Sequence, residues 1–181
     1  MVALGLLLTA CGGAPQSALD PAGPFAKKPD DLFMFIKHAV TGLQADTAYR
    51  VSFYIEFASA APSNCAGIGG APGESVWLKA GASTVEPVAT LRDENIRLNV
   101  DKGGQSTGGS DAIVTGNIAN GIPCEEAEGR FVLLSRTAQL PNPVRTDLSG
   151  TLWTFLGTDS GFEGTTEIYY AFIAILFTWA S

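Results

Sequence analysis

Residues that could carry out covalent catalysis are few in this chain. The segment GQSTG at 104–108 matches the G-x-S-x-G motif, in which a sharp strand-to-helix turn exposes a nucleophilic serine. In that motif the acid and the histidine follow the serine, but here the one histidine, His38, precedes it. Residues 112–118 also predict a strand after the motif instead of a helix. The pattern argues against a serine esterase, and one histidine argues against a multi-histidine metal site.

Paired carboxylates could perform a different reaction, the hydrolysis of a glycosidic bond. A glycosidase holds two acids about 5 to 10 Å apart on either side of the scissile bond. The candidate acids are Glu56, Asp159, Glu163 and Glu167. Sequence spacing alone does not place any two of them at that distance across a cleft, and solvated surface acids are the simpler interpretation.

Calcium is a better-motivated ligand for the acidic loops. Hard cations take oxygen ligands from carboxylates and backbone carbonyls of flexible loops. The loops 101–111 and 158–164 are both rich in glycine and oxygen-bearing side chains, although neither has the spacing of an EF-hand. The candidate Ca²⁺ ligands are Asp101, Asp111, Asp159 and Glu163. The alternative is ordinary turns, in which an Asp side chain caps its own backbone.

Aromatic side chains could bind a carbohydrate, because a sugar ring presents an apolar face on which an aromatic ring can stack. Phe162 lies in a glycine-containing loop, where we expect an exposed ring, and Trp77 lies on a short predicted strand. These two are the predicted ligand-binding residues. Aromatic residues at strand spacing commonly belong to the core, and this is the alternative for Trp77 as it is for Trp153, Tyr169 and Tyr170.

The regular stretch at 49–57 indicates the framework that must position these groups. Apolar residues alternate there with polar ones, which is typical of a strand that is buried on one face. Similar short segments separated by turn residues recur along the chain, and no alternation of strands and helices appears. The sequence therefore predicts an all-β fold, either an antiparallel β-sandwich or a barrel. The predicted strands are 32–40, 49–57, 76–80, 83–89, 95–100, 112–118, 131–136, 151–157 and 166–177.

Three details of this arrangement can be predicted. The segments 32–40 and 49–57 are joined by a short turn, which favours an antiparallel hairpin. The last strand is almost continuously apolar, which favours a central position with both faces buried. Residues 120–129 form an acidic loop with room for one short helix.

Composition sets the broad class of the protein. The chain has 181 residues, of which 46% are hydrophobic and 16% are charged, and this suits a single turn-rich domain with a substantial core. The formal net charge of −7 argues against nucleic acid as a partner, because phosphate binding needs a basic surface.

The first residues predict where in the cell the protein is located. MVALGLLL at 1–8 is apolar, and the following residues are small, as in a secretory signal peptide. The sequence LTAC at 8–11 resembles the lipobox of bacterial lipoproteins, in which Cys11 would be diacylated and become the mature amino terminus. No Lys or Arg precedes the apolar run, so we expect translation to start further upstream. The alternative is an apolar strand with an unrelated cysteine.

This resemblance implies an extracytoplasmic protein anchored in the bacterial cell envelope by lipid. By analogy with lipoprotein sorting, Gly12 after the cysteine favours the outer membrane where the cell has one. Residues 11–29 are rich in Gly, Ala and Pro, which predicts a flexible tether, and the folded domain is then 30–181.

The remaining cysteines fit that compartment. If Cys11 carries lipid, Cys65 and Cys124 remain as one pair, and each lies in a loop that contains Gly or Pro. An oxidising environment would therefore favour a disulfide between them. Two buried free thiols are the alternative.

The segment TGLQADTAYRVSF at 41–53 resembles a turn and strand common in secreted jelly-roll domains of the galactose-binding-like type. That resemblance implies an antiparallel β-sandwich of jelly-roll-like type, with a structural calcium and a carbohydrate bound by loops at one edge. We therefore expect a non-catalytic envelope protein that binds a carbohydrate or another surface ligand. The alternatives are a structural lipoprotein that binds a protein partner, and a carboxylate-based glycoside hydrolase.

Overall fold

The computed structural model describes residues 32–92 and 95–180, and in this part of the chain two antiparallel sheets pack face to face. The fold is an all-β antiparallel sandwich, as the sequence predicts. A 3-10 helix at Cys124–Glu126 occupies the position expected for a short helix. The strands are β1 (Leu32–Val40), β2 (Ala48–Ser59), β3 (Val76–Ser83), β4 (Ala89–Arg92), β5 (Asn95–Leu98), β6 (Ala112–Asn117), β7 (Val132–Gln139), β8 (Val144–Arg145), β9 (Leu152–Ser160) and β10 (Ile168–Trp179).

The two sheets exchange strands along the chain. Sheet I has the order β1-β9-β3-β6, and sheet II has the order β10-β2-β7, with the short β8 paired to β2. The chain passes from sheet I to sheet II between β1 and β2, β6 and β7, and β9 and β10, which are crossings of the jelly-roll-like kind. A separate hairpin joins β4 and β5.

The core lies between the sheets and is made of alternate residues of the long strands. On β2 the inward residues Val51, Ile55 and Phe57 are fully buried, and they pack in one cluster with Val76 and Leu78 of β3. Each fully buried side chain of this size contributes about 1.5 to 3 kcal/mol relative to an exposed one. The periodicity of β2 therefore determines which face of sheet II turns inward.

The predicted hairpin between the first two strands is wrong. Strand β1 pairs with β9, with Leu32 opposite Ser160, whereas β2 lies in the other sheet. The connecting loop is instead fixed to a distant turn, because the amide of Leu43 donates to the carbonyl of Gly150 at 3.1 Å. These partners are far apart in sequence, so local turn residues could not reveal them.

Two other strand predictions are also wrong. The segment 83–89 is not a strand, because β3 continues to Ser83 and β4 begins only at Ala89. Pro87 lies in the connection, where its lack of an amide donor is tolerated. The last strand, β10, is not central but lies at an edge of sheet II. Its apolar character has another origin, since its outward face carries exposed aromatic and aliphatic side chains.

Cys65 and Cys124 form a disulfide that links two loops separated by 59 residues. It joins the loop after β2 to the 3-10 helix before β7, where Ser63 and Pro123 also form a β-bridge. The predicted signal peptide, Cys11 and the tether lie outside the described residues. Within the described residues, no helix has the length and hydrophobicity needed to cross a membrane.

We expect the Cys65→Ser/Cys124→Ser double variant to unfold with a free energy lower by about 4 kcal/mol, because the cross-link restricts the unfolded chain. Urea unfolding of the oxidised protein and of the variant measures the difference. Reductant should destabilise the natural chain and leave the variant unchanged, and equal stabilities would contradict a structural role for this disulfide.

Candidate functional site

The outer face of sheet I is covered by the chain between β3 and β6. We call residues 84–92 and 95–111 the covering segment. Val100 of this segment packs with Phe155 of β9 and Ala112 in a second small core, which Phe33 and Phe35 complete from β1. At the other end of the sheet, the Lys37 ammonium donates to the carbonyl of Pro87 at 2.8 Å and lies 2.7 Å from Glu86 Oε1.

A buried ammonium group holds the covering segment in place. Lys79 of β3 is fully buried on the outer face of sheet I, and its Nζ lies 2.9 Å from Oδ2 of Asp159 on the neighbouring strand β9. The same Nζ donates to the carbonyl oxygens of Lys102, Gly104 and Thr107 in the covering segment. Because burying a charge is costly without partners, this geometry fastens the segment to the sheet.

Asp159 balances part of the charge in this cluster. The Lys102 ammonium approaches the same Oδ2 atom at 2.7 Å, so two lysines share one carboxylate oxygen. Among the described residues, the other oxygen, Oδ1, is buried without a hydrogen-bond partner. Asp159 is fully buried and lies between cations, so its carboxylate is not placed to reach a substrate.

The four candidate calcium ligands are not brought together as a metal site. Asp101 accepts hydrogen bonds from the amides of Gly103 and Ser110 at 2.9 and 2.8 Å, and Asp111 accepts one from the amide of Asp101 at 2.7 Å. The amides of Ser110 and Gly103 hold the pKa of Asp101 below its ordinary value. Asp159 pairs with lysines, and Glu163 belongs to a different loop. Residues 32–92 and 95–180 contain no group of three or more acidic, histidine or cysteine side chains arranged to hold a metal ion.

We expect Lys79→Met to lower the free energy of unfolding by about 3 kcal/mol, because Asp159 and three carbonyl groups lose a buried donor. Lys102→Met is the matched control. The Lys102 side chain is 20% exposed, and its loss leaves the Lys79–Asp159 pair intact, so we expect a smaller effect. Urea unfolding of both variants measures the effects, and equal losses would show that Lys79 has no special role.

The outer face of sheet II carries a group of exposed aromatic side chains. Outward positions of β10, β2 and β7 lie side by side there, with Tyr169 opposite Ala58, and Ala58 opposite Leu133. The exposed fractions are 56% for Tyr169 and 62% for Leu133. We call this surface the aromatic face and define it by the exposed Tyr54, Phe131, Leu133 and Tyr169 together with the half-buried Phe172.

The rings of the aromatic face form two edge-on pairs. Tyr54 and Phe172 have ring centroids 6.1 Å apart at an interplanar angle of 61°, and Phe131 and Tyr169 have centroids 5.2 Å apart at 60°. Such geometry is favourable for aromatic rings and holds them in place. The face therefore presents ordered rings to the solvent.

Each tyrosine of these pairs donates its hydroxyl hydrogen to a glutamate two residues away. Tyr54 donates to Glu56 Oε1 at 2.5 Å, and Tyr169 donates to Glu167 Oε1. These hydrogen bonds raise the pKa of both tyrosine hydroxyls, with smaller contributions from burial and from the glutamate charge. Both hydroxyls consequently remain donors, and the carboxylates have lone pairs left to accept hydrogen bonds from a ligand.

Small polar side chains lie beside the aromatic rings. On β7 the outward residues after Leu133 are Ser135, Thr137 and Gln139, and they are exposed. The surface thus combines apolar rings, carboxylates and neutral hydrogen-bonding groups. This combination can bind a ligand that has both apolar faces and many hydroxyl groups.

The two aromatic residues predicted to bind a ligand lie elsewhere. Trp77 is half-buried on the outer face of sheet I, opposite Asp159. Phe162 is not the exposed ring that its loop position predicted, because it is half-buried against the core. The GQSTG segment belongs to the covering segment and is followed by strand β6, so it does not form a nucleophile elbow.

The sequence contains a signal for the aromatic face that lies outside the motifs described above. Residues i and i+2 of a strand share a face. Tyr54 and Glu56 have this spacing within β2, and Glu167, which directly precedes β10, has it with Tyr169. The pairing of β10 with β2 was not visible in the sequence, and it is this pairing that brings the two tyrosine–glutamate pairs together.

Comparison of the chain with protein-family models, with curated proteins and with solved structures found no match. By its own structure, the protein is a two-sheet β-sandwich. One outer face is covered by the covering segment, and the other is the aromatic face.

Proposed function

We propose that this protein is a lipid-anchored, non-catalytic protein of the bacterial cell envelope that binds a carbohydrate on the aromatic face of sheet II. The observation that carries the proposal is the presence of two ring pairs beside carboxylates on one exposed sheet face. Sugar rings offer apolar faces to aromatic rings and hydroxyl donors to carboxylates, so a carbohydrate could contact both the rings and the carboxylates of this face.

A carbohydrate accounts for this surface better than a protein partner does. Protein interfaces have an apolar centre from which charged groups are depleted, whereas here a carboxylate is hydrogen-bonded to a ring in each pair. The neighbouring serine, threonine and glutamine side chains suit a hydroxyl-rich ligand as well. Exposed leucines such as Leu133 and Leu176 would favour a protein partner, and the binding experiment below distinguishes the two ligands.

A non-catalytic role is supported by the surroundings of three of the four acids that were candidates for hydrolysis. Asp159 is buried with two lysines, and Glu56 and Glu167 each accept a tyrosine hydroxyl. Glu56 lies in a sheet row with Phe172 and Ser135, on an extended face. An extended face is suited to binding, whereas glycoside hydrolysis needs two acids on either side of the bond.

The envelope location rests on the amino-terminal sequence. LTAC at 8–11 resembles a lipobox, and the disulfide between Cys65 and Cys124 suits an oxidising compartment. Two acyl chains on Cys11 would supply the stable anchoring that a single chain does not. Gly12 favours the outer membrane, by analogy with lipoprotein sorting.

We expect the natural chain, expressed with its own leader in a bacterium, to incorporate a fatty-acid label and to partition into detergent. Cys11→Ser should lose both properties, because the acylated thiol is gone, while Ala10→Gly keeps the small residue before the cysteine and should retain them. Labelled Cys11→Ser protein would contradict acylation at this site.

We expect the protein to be retained by an insoluble neutral polysaccharide, with chitin and cellulose as the probes. Tyr54→Ala and Tyr169→Ala should each weaken binding about tenfold, because each removes a stacking ring. Leu148→Ala is the matched control, since Leu148 is an exposed apolar residue in the turn before β9 and outside the aromatic face. Retention by neither polysaccharide, or equal losses in all three variants, would overturn the proposal and favour a protein partner.

A further inference from the structure

The two halves of the aromatic face contain the same set of groups. One half consists of Phe172, Tyr54 and Glu56, and the other consists of Phe131, Tyr169 and Glu167. In each half a phenylalanine ring meets a tyrosine ring at about 60°, and the tyrosine hydroxyl donates to a glutamate. A surface with two similar sites fits a ligand with repeating units.

The strand register gives the separation of the halves. Tyr169 is opposite Ala58, and Ala58 lies four residues from Tyr54 along β2. Four residues of strand span about 14 Å, and the neighbouring strand adds a lateral step of about 5 Å. Phe172 of the first half lies opposite Glu56 and three residues from Tyr169 of the second half, so the two halves are neighbours along β10. This span is longer than a disaccharide.

The negative charge of the protein also limits which glycans this face can bind. Glu56 and Glu167 lie in the two halves, and the whole chain has a formal net charge of −7. A polyanionic glycan would be repelled by these carboxylates, whereas neutral hydroxyl groups can donate hydrogen bonds to them. A sheet face also suits an extended chain better than a compact or branched one.

We propose that the two halves of the aromatic face are equivalent subsites for one linear, uncharged glycan chain longer than a disaccharide. This inference rests on the proposed carbohydrate-binding function and adds the length and charge of the ligand. Simultaneous binding of both subsites by one chain makes the second contact intramolecular, so the affinity rises once a chain can span them.

Calorimetric titration with N-acetylglucosamine oligomers, from the monomer to the hexamer, and with the matching glucose series tests the inference. We expect weak binding up to the dimer and a gain of about tenfold or more at greater lengths in at least one series. Oligogalacturonate, which is acidic, should bind at least about tenfold more weakly than a neutral chain of equal length.

Variants that remove one subsite distinguish binding of a glycan at both subsites from binding at one. Tyr54→Ala and Tyr169→Ala should each reduce the hexamer affinity to the level of the dimer and remove the length dependence. Tyr54→Phe keeps the stacking ring but loses the hydrogen bond to Glu56, so we expect a smaller loss of hexamer affinity than in Tyr54→Ala, with the length dependence kept. The far-ultraviolet circular dichroism of all variants should match that of the natural chain.

These experiments distinguish failure of the two-subsite inference from failure of the proposed carbohydrate-binding function. Binding that does not increase with length, that is lost in one variant only, or that is equally strong for oligogalacturonate would overturn the two-subsite inference and leave carbohydrate binding intact. Absence of binding to every oligomer and to both insoluble polysaccharides would overturn both proposals.

Discussion

The buried ammonium of Lys79 is the group on which the asymmetry of this sandwich depends. It connects β3 to β9 through Asp159, and it connects sheet I to the covering segment through three carbonyl groups. Burying an ammonium costs several kcal/mol, which only a complete set of acceptors offsets. The covering segment supplies those acceptors, and its own apolar residues then pack on Phe155. One outer face of the sandwich is consequently filled by the chain itself.

The opposite face has no comparable cover from the residues that the structure describes. Sheet II presents Tyr54, Leu133 and Tyr169 to solvent, and exposed aromatic groups of this kind usually mark a surface with a binding role. The tyrosine–glutamate hydrogen bonds hold the rings in fixed positions, which would reduce the entropy lost on binding of the proposed ligand. The disulfide between Cys65 and Cys124 and the proposed lipid anchor on Cys11 would suit the membrane-displayed binding module that we propose.

Local patterns in the sequence were sufficient for the fold class and insufficient for the sheet pairing. The alternation in β2 correctly predicts a strand with one buried face, because burial follows the period of two. The partner of β1 could not be predicted, since Leu32 pairs with Ser160 through contacts that no local signal records. The central position that the apolar run predicts for β10 is also wrong. Its outward residues are apolar at an exposed surface, which composition alone cannot distinguish from a buried one.

The most direct test of the account is to locate the bound glycan on the protein by nuclear magnetic resonance. Ring protons of the tyrosine, phenylalanine and tryptophan residues would be assigned and followed during titration with the neutral oligomer that binds most tightly. The account predicts shifts at Tyr54, Phe172, Phe131 and Tyr169, with little change at Trp77 and Phe162. Shifts confined to Trp77, Phe162 and the loops around them would show that the ligand binds away from the aromatic face and would contradict the account.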